Sequence, residues 1–410
     1  MNFEMIKNKL GVKEEFEIPP KLLNKLLSED KNKFLKEIKE TIPDLKEDFL
    51  RDYYSQSIAN KSTLKQEYTP ASICNLISKL YNSDEILDIC SGTGSLSITN
   101  YNENKKYYLE EVSKQVIPFL ILNFAIRNLN AEIREKDIVE NKVKQIYILT
   151  KSEEFSDIKT TNEESKKDTY KIVLSNPPYS LKWDAKEDKR LEGYDIPPKN
   201  CADYLFLIDG LLRTKEKAFY ILPHGILFRG SREGNIREKL LKQNYIETII
   251  GLPSKMFMNT GIPTAIIILN KNKPDNKILF IDASKEFKKE GKYNHFTDEH
   301  IEKIVKAYKE RSTIEKFSNL VDFNEIEENQ YNLNIPRYVN TWEDEPVPDL
   351  EETIAEIIKI DEECNKLINE ILDTSKELHG TNKEMDDFYK MAMKPLYDLQ
   401  ERDKNGTLGN

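Results

Sequence analysis

The pattern of apolar and polar residues changes along the chain. Residues 1–60 place leucines and isoleucines at helical spacing among charges, as in KLLNKLLSEDKNKFLKEIKETI, which predicts a small helical N-terminal region. From about residue 68, short apolar runs alternate with longer helical ones. The short runs are EILDIC, KYYLEEV, AEIREKDI, YKIVLSN, KAFYILP, IETIIGLP, TAIIILNKN and KILFIDAS. This alternation predicts an α/β fold, with a mostly parallel sheet covered by helices on both faces.

Two segments depart from this alternation. Residues 151–169, KSEEFSDIKTTNEESKKDT, have almost no apolar content and predict a surface insertion. After Pro348, leucines and isoleucines recur at three- and four-residue steps and predict a long amphipathic helix. That helix can pack against its own protein or against a partner helix, and its place beyond the linker EDEPVPDL favours a partner. We expect three regions, 1–60, 61–345 and 346–410, with the last used for partner contact.

Composition narrows the function classes. The 410 residues include 72 acidic and 62 basic side chains, so no global positive charge attracts nucleic acid, and DNA contact must be local or shared with a partner. The four cysteines lie far apart without a disulfide or CxxC pattern, which favours a reducing cytoplasm. No Cys/His spacing predicts a metal site. The N-terminus lacks a signal-peptide pattern, and no run approaches the ~18 apolar residues of a membrane span, so a membrane location is not expected.

The segment EILDICSGTGSLSI carries the first candidate chemistry. An apolar strand ends in Asp88, and Gly92 and Gly94 follow in a loop that lets the backbone approach a ligand closely. A GxG pattern alone is weak evidence for a nucleotide-like site. The next strand, however, ends in Glu110 and Glu111 about twenty residues later, where a carboxylate can accept hydrogen bonds from two ribose hydroxyls.

A third carboxylate, Asp137, ends the third predicted strand. Three acidic strand ends around a glycine loop would repel a pyrophosphate, but they suit a ligand with a ribose, an amino group and positive charge. S-adenosylmethionine has these groups. Each carboxylate alone is also explained as a solvated strand end or a helix N-cap. It is their order along the chain that favours the cofactor.

The stretch LSNPPYS poses a separate question. Its two prolines could simply end a strand, since they cannot donate to a ladder. In an open α/β sheet, however, Asn176 to Tyr179 would follow the fourth strand beside the proposed cofactor site. The Asn176 amide oxygen and the Pro177 carbonyl could accept both hydrogens of an exocyclic amino group and expose its lone pair to methylation. Tyr179 could stack on the target ring.

These segments resemble the amino-methyltransferases with an NPPY motif, and more closely the methylase subunits of type I restriction-modification systems. The resemblance covers roughly residues 60–345. Its motifs are QEYTPASI, LDICSGTGSL, SNPPYSLKWD, IPPKNCADYLFLIDGLL, ILPHGILFRGSREGNIREKLL, IIGLPSKMFMNTGIPTAIIILNKNK and YNLNIPRYV. It implies a Rossmann-like methyltransferase sheet, S-adenosylmethionine as cofactor and a flipped adenine in DNA as substrate.

The resemblance also assigns residues. It implies that the QEYTP segment borders the methionine end of the cofactor, that SGTG forms the loop beneath it, that Glu111 rather than Glu110 is the ribose carboxylate, and that Asp137 faces the adenine moiety. The catalytic residues expected are Asn176, Pro177, Pro178 and Tyr179. The cofactor-binding residues expected are Gln66, Tyr68, Thr69, Pro70, Asp88, Ser91, Gly92, Thr93, Gly94, Glu111, Asp137 and Asn176.

Partners follow from departures from the family pattern. The N-terminal helical region is shorter than is usual, and no segment looks like a target-recognition domain. The resemblance therefore implies that a separate specificity subunit selects the DNA sequence, with two methylase chains per specificity chain, and it leaves open whether a restriction subunit joins. Two alternatives remain: methylation of a protein glutamine, which uses the same acceptor geometry, and a scaffold that has lost catalysis. The intact NPPY motif and the acidic residues weigh against the scaffold.

Several other residues have two interpretations. A structural role is favoured for His224, because the mechanism needs no histidine. Trp183 could cover the base pocket or only pack. Four basic residues could contact phosphate, although a solvated helix face is favoured. These are Arg229, Arg232, Lys239 and Lys242.

Overall fold

The computed structural model describes residues 4–42, 44–46, 48–51, 68–163, 167–258, 260–341, 349–376 and 383–404. The chain divides into two compact units, Met1–Thr341 and Trp342–Asn410. The N-terminal helices belong to the first unit. The region boundaries expected near residues 60 and 345 both fall outside the described residues, so they stay predictions. In the described part of the chain, no helix is both long and apolar enough to span a membrane.

Eleven strands of the first unit, as far as it is described, form one sheet in the order β13-β10-β8-β9-β7-β6-β1-β2-β3-β4-β5. A separate hairpin pairs β11 with β12. The strands are β1 (Glu85–Ile89), β2 (Lys106–Glu111), β3 (Asn130–Asp137), β4 (Lys142–Thr150), β5 (Asp157–Thr161), β6 (Tyr170–Ser175), β7 (Thr214–Pro223), β8 (Ile246–Gly251), β9 (Thr264–Asn270), β10 (Ile278–Asp282), β11 (Lys288–Glu290), β12 (Tyr293–His295) and β13 (Ser318–Val321).

The centre of the sheet is parallel. β3, β2, β1, β6 and β7 run in the same direction, and the strand order reverses at β1, which lies between β2 and β6. Antiparallel strands extend both sides, through β4 and β5 on one and through β9 on the other. The predicted α/β class and parallel core are therefore confirmed. Ligands bind at the carboxyl ends of parallel strands where the order reverses, so the β1/β6 boundary is the expected site.

The prediction that residues 151–169 form a surface insertion was wrong for part of that segment. Residues Asp157–Thr161 form the edge strand β5, paired antiparallel with β4, and Phe155 and Ser156 just before it are buried. The strand was missed because its sequence, DIKTT, is polar. An edge strand with one exposed face needs little apolar content, since backbone pairing and a single buried anchor hold it.

Helices cover both faces of the sheet. α2 packs on the fully buried α6, and the Lys31 ammonium donates to the Ser156 carbonyl over 2.6 Å, which ties the N-terminal helices to the sheet edge. The helices of the first unit are α1 (Glu4–Leu10), α2 (Ile18–Leu26), α3 (Lys31–Lys39), α4 (Ala71–Leu80), α5 (Ser95–Ile98), α6 (Ile117–Ala125), α7 (Asp203–Arg213), α8 (Ser231–Lys242), α9 (Asp298–Glu310) and α10 (Phe323–Glu328).

The second unit contains two helices that contact each other, α11 (Leu350–Ser375) and α12 (Lys383–Lys404). The Asp349 side chain caps α11 by accepting from the amides of Glu351 and Glu352. The predicted long helix is thus confirmed. Its apolar side chains are mostly exposed, and only Leu372 is buried. The exposed ones are Leu350, Ile354, Ile357, Ile358, Ile360, Leu367 and Ile371.

Candidate active site

A cavity of about 360 Å³ opens at the carboxyl edge of β1, β2, β3 and β6. Most of the segments that the sequence singled out meet there, because parallel neighbouring strands end at the same edge. The predicted site residues that line the cavity are Tyr68, Thr69, Ser91, Gly92, Glu111, Asp137, Asn176 and Pro178. Others lie outside its lining, namely Pro70, Asp88, Thr93, Gly94, Pro177 and Tyr179. Gln66 lies outside the described residues.

The glycine loop after β1 has a backbone that few residues can adopt. Gly92 has φ of +56° and Gly94 has φ of +88°, both in the left-handed region that favours glycine. A side chain at Gly94 would also bring Cβ to 2.6 Å from the Phe124 ring on α6. The Gly92 amide donates to Glu111 Oε2 over 3.0 Å, so the loop and the end of β2 form one structure.

The two glutamates at the end of β2 have different surroundings. Glu110 is fully buried and accepts two 2.8 Å hydrogen bonds from the Arg213 guanidinium, and Arg134 and Lys136 each lie 3.3 Å from it. Burial raises the pKa of the Glu110 carboxyl, but the charges of Arg213 and Lys136 outweigh burial and lower its pKa to about 2. Glu110 therefore serves an internal ion network.

Glu111 is held by backbone amides rather than by cations. It accepts hydrogen bonds from the amides of Gly92 and Ser113 at 3.0 and 2.9 Å. Burial nevertheless raises the pKa of its carboxyl, which these two amides oppose. Because Glu110 is neutralised by three cations, the choice of Glu111 as the ribose-binding carboxylate agrees with this geometry.

Asp88 lies beneath the glycine loop. Its Oδ2 accepts from the Ser97 hydroxyl over 2.7 Å, whereas its Oδ1 is buried without a hydrogen-bond partner. Burial raises the pKa of Asp88 to about 7, and the negative charge of Glu111 adds to the shift. Asp88 does not line the cavity, so its contact with a cofactor stays a prediction.

Asp137 ends β3 at the opposite side of the cavity. Its Oδ1 accepts from the backbone amides of Val139 and Glu140 at 2.9 and 3.1 Å. These bonds fix the turn that carries Ile138 and Val139 into the cavity wall. Asp137 therefore shapes one wall of the cavity and also faces it.

The NPPY motif follows β6 directly. The Asn176 amide nitrogen donates to the Thr69 hydroxyl over 3.0 Å, and the Tyr179 hydroxyl donates to Asn176 Oδ1 over 2.8 Å. Together these bonds set which way the amide points. The Tyr179 ring is buried and packs edge-to-face on Phe257, with ring centroids 6.0 Å apart. Stacking of Tyr179 on a target base thus stays a prediction.

The segment after NPPY folds over the cavity. Trp183 lines the cavity, and its indole nitrogen donates to the Pro198 carbonyl over 3.0 Å. Arg190 donates to the Ile138 carbonyl over 2.7 Å and pairs with Asp209. Trp183 therefore both packs and forms part of the wall, so the two roles left open from the sequence coexist.

Sequence reasoning missed Asp48, which reaches the glycine loop from the N-terminal region. Its carboxylate accepts from the hydroxyls of Thr93 and Ser95 and from the Asn123 amide of α6. Asp48 is buried. Asp48 is one of two aspartates in the stretch PDLKEDFL and gives no periodic signal, so only the fold reveals its contacts.

The other candidates have mainly structural partners. His224 is partly buried, its Nε2 lies 3.0 Å from the Thr264 carbonyl, and burial lowers its pKa. Lys239 contacts the Gly193 carbonyl, and Lys242 pairs with Glu238. Arg229 lies among acidic side chains. Arg232 is exposed on α8.

Comparison with known proteins places the chain in a family. The family model for N-6 DNA methylase matches residues 38–346. The type I restriction enzyme MjaVIII methylase subunit of Methanocaldococcus jannaschii is 33% identical, over 84% of this chain and 61% of its own length. The MpnII methylase subunit of Mycoplasma pneumoniae is 29% identical, over 82% of this chain and 62% of its own. The chain thus spans about three-fifths of the length of these relatives.

A solved structure shows the same fold. The crystal structure of the type I restriction-modification methyltransferase subunit from Streptococcus thermophilus superposes with a TM-score of 0.61 at 34% identity. The match covers 70% of this chain and 62% of that one. With an α/β methyltransferase sheet, a glycine loop and an NPPY motif at one edge, and a family model that spans most of the first unit, this chain belongs to the N-6 DNA methylase family.

Proposed function

We propose that the chain is the catalytic modification subunit of a type I restriction-modification complex, and that it methylates N6 of a flipped adenine at a defined DNA sequence. The observation that carries this proposal is the Asn176 amide, held by Thr69 and Tyr179 at the rim of a cavity built from β1, β2 and β3. The family match and the named relatives support it.

We propose S-adenosylmethionine as the cofactor in the cavity. A volume of about 360 Å³ lies within the usual range for ligand sites, roughly 300–1,000 Å³. The chemical groups of the lining also fit this cofactor. The carboxylates of Glu111 and Asp137 can accept hydrogen bonds from its hydroxyl and amino groups. Trp183 and Ile138 supply apolar surface for its purine ring. Gly92 leaves the backbone bare where a ligand would lie against it.

When bound, S-adenosylmethionine supplies an electrophilic methyl group. The protein's part is to prepare the adenine amino group, whose lone pair is delocalised into the ring. Asn176 Oδ1 and the Pro177 carbonyl accept the amino hydrogens and draw the nitrogen towards tetrahedral geometry. The two prolines and the Thr69 bond hold these acceptors rigid, so their dipoles stabilise the positive charge as it develops. No strong base is needed, because the methylated nitrogen loses its proton easily.

We further propose that sequence recognition lies with a specificity subunit, in a complex of two methylase chains per specificity chain. Two features support this. The chain is acidic overall, with 72 acidic against 62 basic residues, so it has little charge of its own with which to hold DNA. The second unit presents seven large apolar side chains to solvent along α11, a pattern typical of helix-in-groove or helix-bundle contacts.

The test is to express the chain in methylation-free cells with and without a co-encoded specificity-like subunit and to map N6-methyladenine. Methylation at one defined motif that needs the partner and is lost in Asn176→Ala is the expected result. Methylation without the partner would contradict delegated recognition. Cofactor binding with no DNA methylation under either condition would favour methylation of protein glutamine, which the family match does not favour.

A further inference from the structure

A buried polar cluster lies behind the NPPY motif. Cys201, Asp203 and Glu233 bring their ligating atoms within 4.8 Å of one another, the only such group in the described part of the chain. Arg229 Nη1 lies 2.9 Å from Cys201 Sγ, 3.3 Å from Asp203 Oδ2 and 3.4 Å from Glu233 Oε1. The guanidinium thus already supplies positive charge to the carboxylates of Asp203 and Glu233, and the cluster is an ion network rather than a metal site.

The cluster holds the residue that follows the motif. The Ser180 amide donates to Asp203 Oδ1 over 2.7 Å, and Arg229 Nη2 donates to the Ser180 hydroxyl over 3.4 Å. Ser180 has φ of +47°, in the left-handed region that a serine rarely adopts. Such a conformation persists only where the surroundings fix it. Asp203, fully buried as the first residue of α7, is placed to do so.

We propose that Asp203 and Arg229 are positioning residues for methyl transfer. They hold Ser180 in its left-handed conformation, and this fixes the C-terminal end of the acceptor segment, Asn176–Tyr179. Strand β6 already fixes the N-terminal end of this segment, and Pro177 and Pro178 restrict its backbone in between. With Ser180 held as well, the segment is fixed at both ends. The catalytic role of Asp203 and Arg229 rests on the proposed function, whereas their effect on the conformation of residues 176–180 does not.

Gly225 offers a way to move Arg229 without deleting it. A Cβ at position 225 would meet the Arg229 guanidinium at 2.6–2.7 Å, and Gly225 is not among the glycines with positive φ. Gly225→Ala should therefore displace the guanidinium from the cluster without backbone strain. If Arg229 acts by holding Ser180, Gly225→Ala and Arg229→Ala have the same effect, and the double variant adds little to either.

The first experiment measures hydrogen exchange in the full-length chain. Because prolines lack an amide proton, exchange in the segment 176–181 reports on the amides of Asn176, Tyr179, Ser180 and Leu181 alone. Arg229→Ala and Gly225→Ala should each speed this exchange by about tenfold or more. Arg232→Ala, an exposed arginine on α8, is the matched control and should leave it unchanged. Unchanged exchange in both test variants would overturn the proposal.

The second experiment compares methyl transfer with cofactor affinity in the assembled complex. Arg229→Ala and Asp203→Ala should lower kcat by about 100-fold, as a misplacement of about 1 Å does. S-adenosylmethionine affinity, measured by calorimetry on the chain, should stay within about threefold. Asp203→Asn, which keeps an acceptor for the Ser180 amide, should recover part of kcat.

The outcomes separate the two proposals. Wild-type kcat in variants whose loop exchanges faster would overturn the catalytic role of the anchor. Equal losses of kcat and of cofactor affinity would also overturn it, because they would indicate general disruption of the fold. A wild-type complex that methylates no DNA would refute the proposed function, while the exchange experiment would still decide whether Arg229 holds the loop.

Discussion

The Asn176 amide donates to the Thr69 hydroxyl over 3.0 Å, which joins the NPPY motif after β6 to the Tyr68–Pro70 segment before α4. These residues are more than a hundred positions apart in the sequence. Thr69 is buried, and it also lines the cavity proposed for the cofactor. One hydroxyl thus orients the Asn176 amide, the proposed acceptor, and borders the cavity proposed for the cofactor, so a single contact links the two proposed sites.

Replacing this hydroxyl tests the relationship. Thr69→Val keeps the shape of the side chain but removes the hydroxyl that accepts from the Asn176 amide. The lost hydrogen bond stabilises the observed orientation of that amide by about 1 kcal/mol or more. We expect kcat for DNA methylation to fall about tenfold, with cofactor affinity changed much less. Thr69→Ser, which retains the hydroxyl, is the control and should keep most of the activity. A loss in Thr69→Ser as large as in Thr69→Val would show that the hydroxyl alone does not account for the effect, and retained activity in Thr69→Val would contradict the role of the hydrogen bond.

The features that could be predicted from the sequence are those that depend on the local pattern of apolar and polar residues. The parallel core was predicted from apolar runs such as YKIVLSN. The positions of Glu111, Asp137 and Asn176 at the cavity were predicted because the first two end predicted strands and Asn176 follows one. The sequence did not predict contacts between distant polar residues. Asp48 with Thr93, and Asp203 with Ser180, join segments whose approach depends on the completed fold, and neither leaves a periodic signal.

Strand β5 illustrates the same limit for secondary structure. Its residues, DIKTT, have no apolar alternation, and the pairing with β4 supplies what the side chains do not. Strand β4 was also absent from the predicted strands, although it contains the apolar run IYIL. The prediction relied on strands that alternate with helices, and β4 instead follows β3 directly and pairs antiparallel with it.

Asp48 should matter for both stability and cofactor binding. Asp48→Ala removes the acceptor for the Thr93 and Ser95 hydroxyls and the Asn123 amide, all of them buried. Unsatisfied buried donors cost roughly 1–3 kcal/mol each before relaxation, so we expect the free energy of unfolding to fall by about 3 kcal/mol. Because Thr93 lies in the glycine loop, S-adenosylmethionine affinity should fall about tenfold as well.

The matched control for Asp48 is Asp44→Ala. Asp44 is exposed, and its carboxylate accepts from the backbone amide of Lys46 over 2.8 Å. Urea unfolding and calorimetry should show little change for this variant. If Asp48→Ala were as stable as Asp44→Ala, the Asp48 network would not support the loop.

The two neighbouring glutamates should behave in opposite ways. Glu111→Gln should weaken S-adenosylmethionine binding by at least about tenfold and lower the free energy of unfolding by only about 1 kcal/mol, since its amide keeps one of the two oxygens that accept backbone amides. Glu110→Gln leaves Arg213, Arg134 and Lys136 around a neutral group, and breaking such a buried network costs about 3 kcal/mol of stability. Urea unfolding and calorimetry on both variants check this. Reversed results would exchange the two assignments.

Asp88 gives a pH dependence of defined sign. Burial raises the pKa of its carboxyl from 3.8 to about 7 in the folded protein. A group whose pKa is raised on folding stabilises the protein at low pH, and that stabilisation is lost as pH rises through the folded pKa. Relative to Asp88→Asn, the wild type should therefore lose up to about 4 kcal/mol of unfolding free energy between about pH 4 and pH 7.

Urea unfolding across this pH range measures the effect without cofactor. The control is Asp84→Asn, an exposed aspartate just before β1 whose pKa is lowered chiefly by its hydrogen bond with Lys171. Because its shift has the opposite direction, Asp84 contributes no decline with rising pH. A flat difference between wild type and Asp88→Asn would mean that Asp88 is ionised at little cost in the folded chain.

The exposed apolar side chains of α11 should bind the specificity subunit. Ile354 and Ile358 lie one helical turn apart and are 47% and 55% exposed, so they present one stripe on the helix surface. The double variant Ile354→Lys, Ile358→Lys puts charge where a partner helix would bury apolar surface. We expect its affinity for the specificity subunit to fall by at least about 100-fold.

Two measurements serve as controls. The S-adenosylmethionine affinity of the same variant should be unchanged, since no residue that lines the cavity belongs to α11. Lys359→Ala, an exposed change on the same helix, is the control and should still bind in pull-down and calorimetry. If the double lysine variant bound the partner as tightly as wild type, recognition would have to use another surface of the chain.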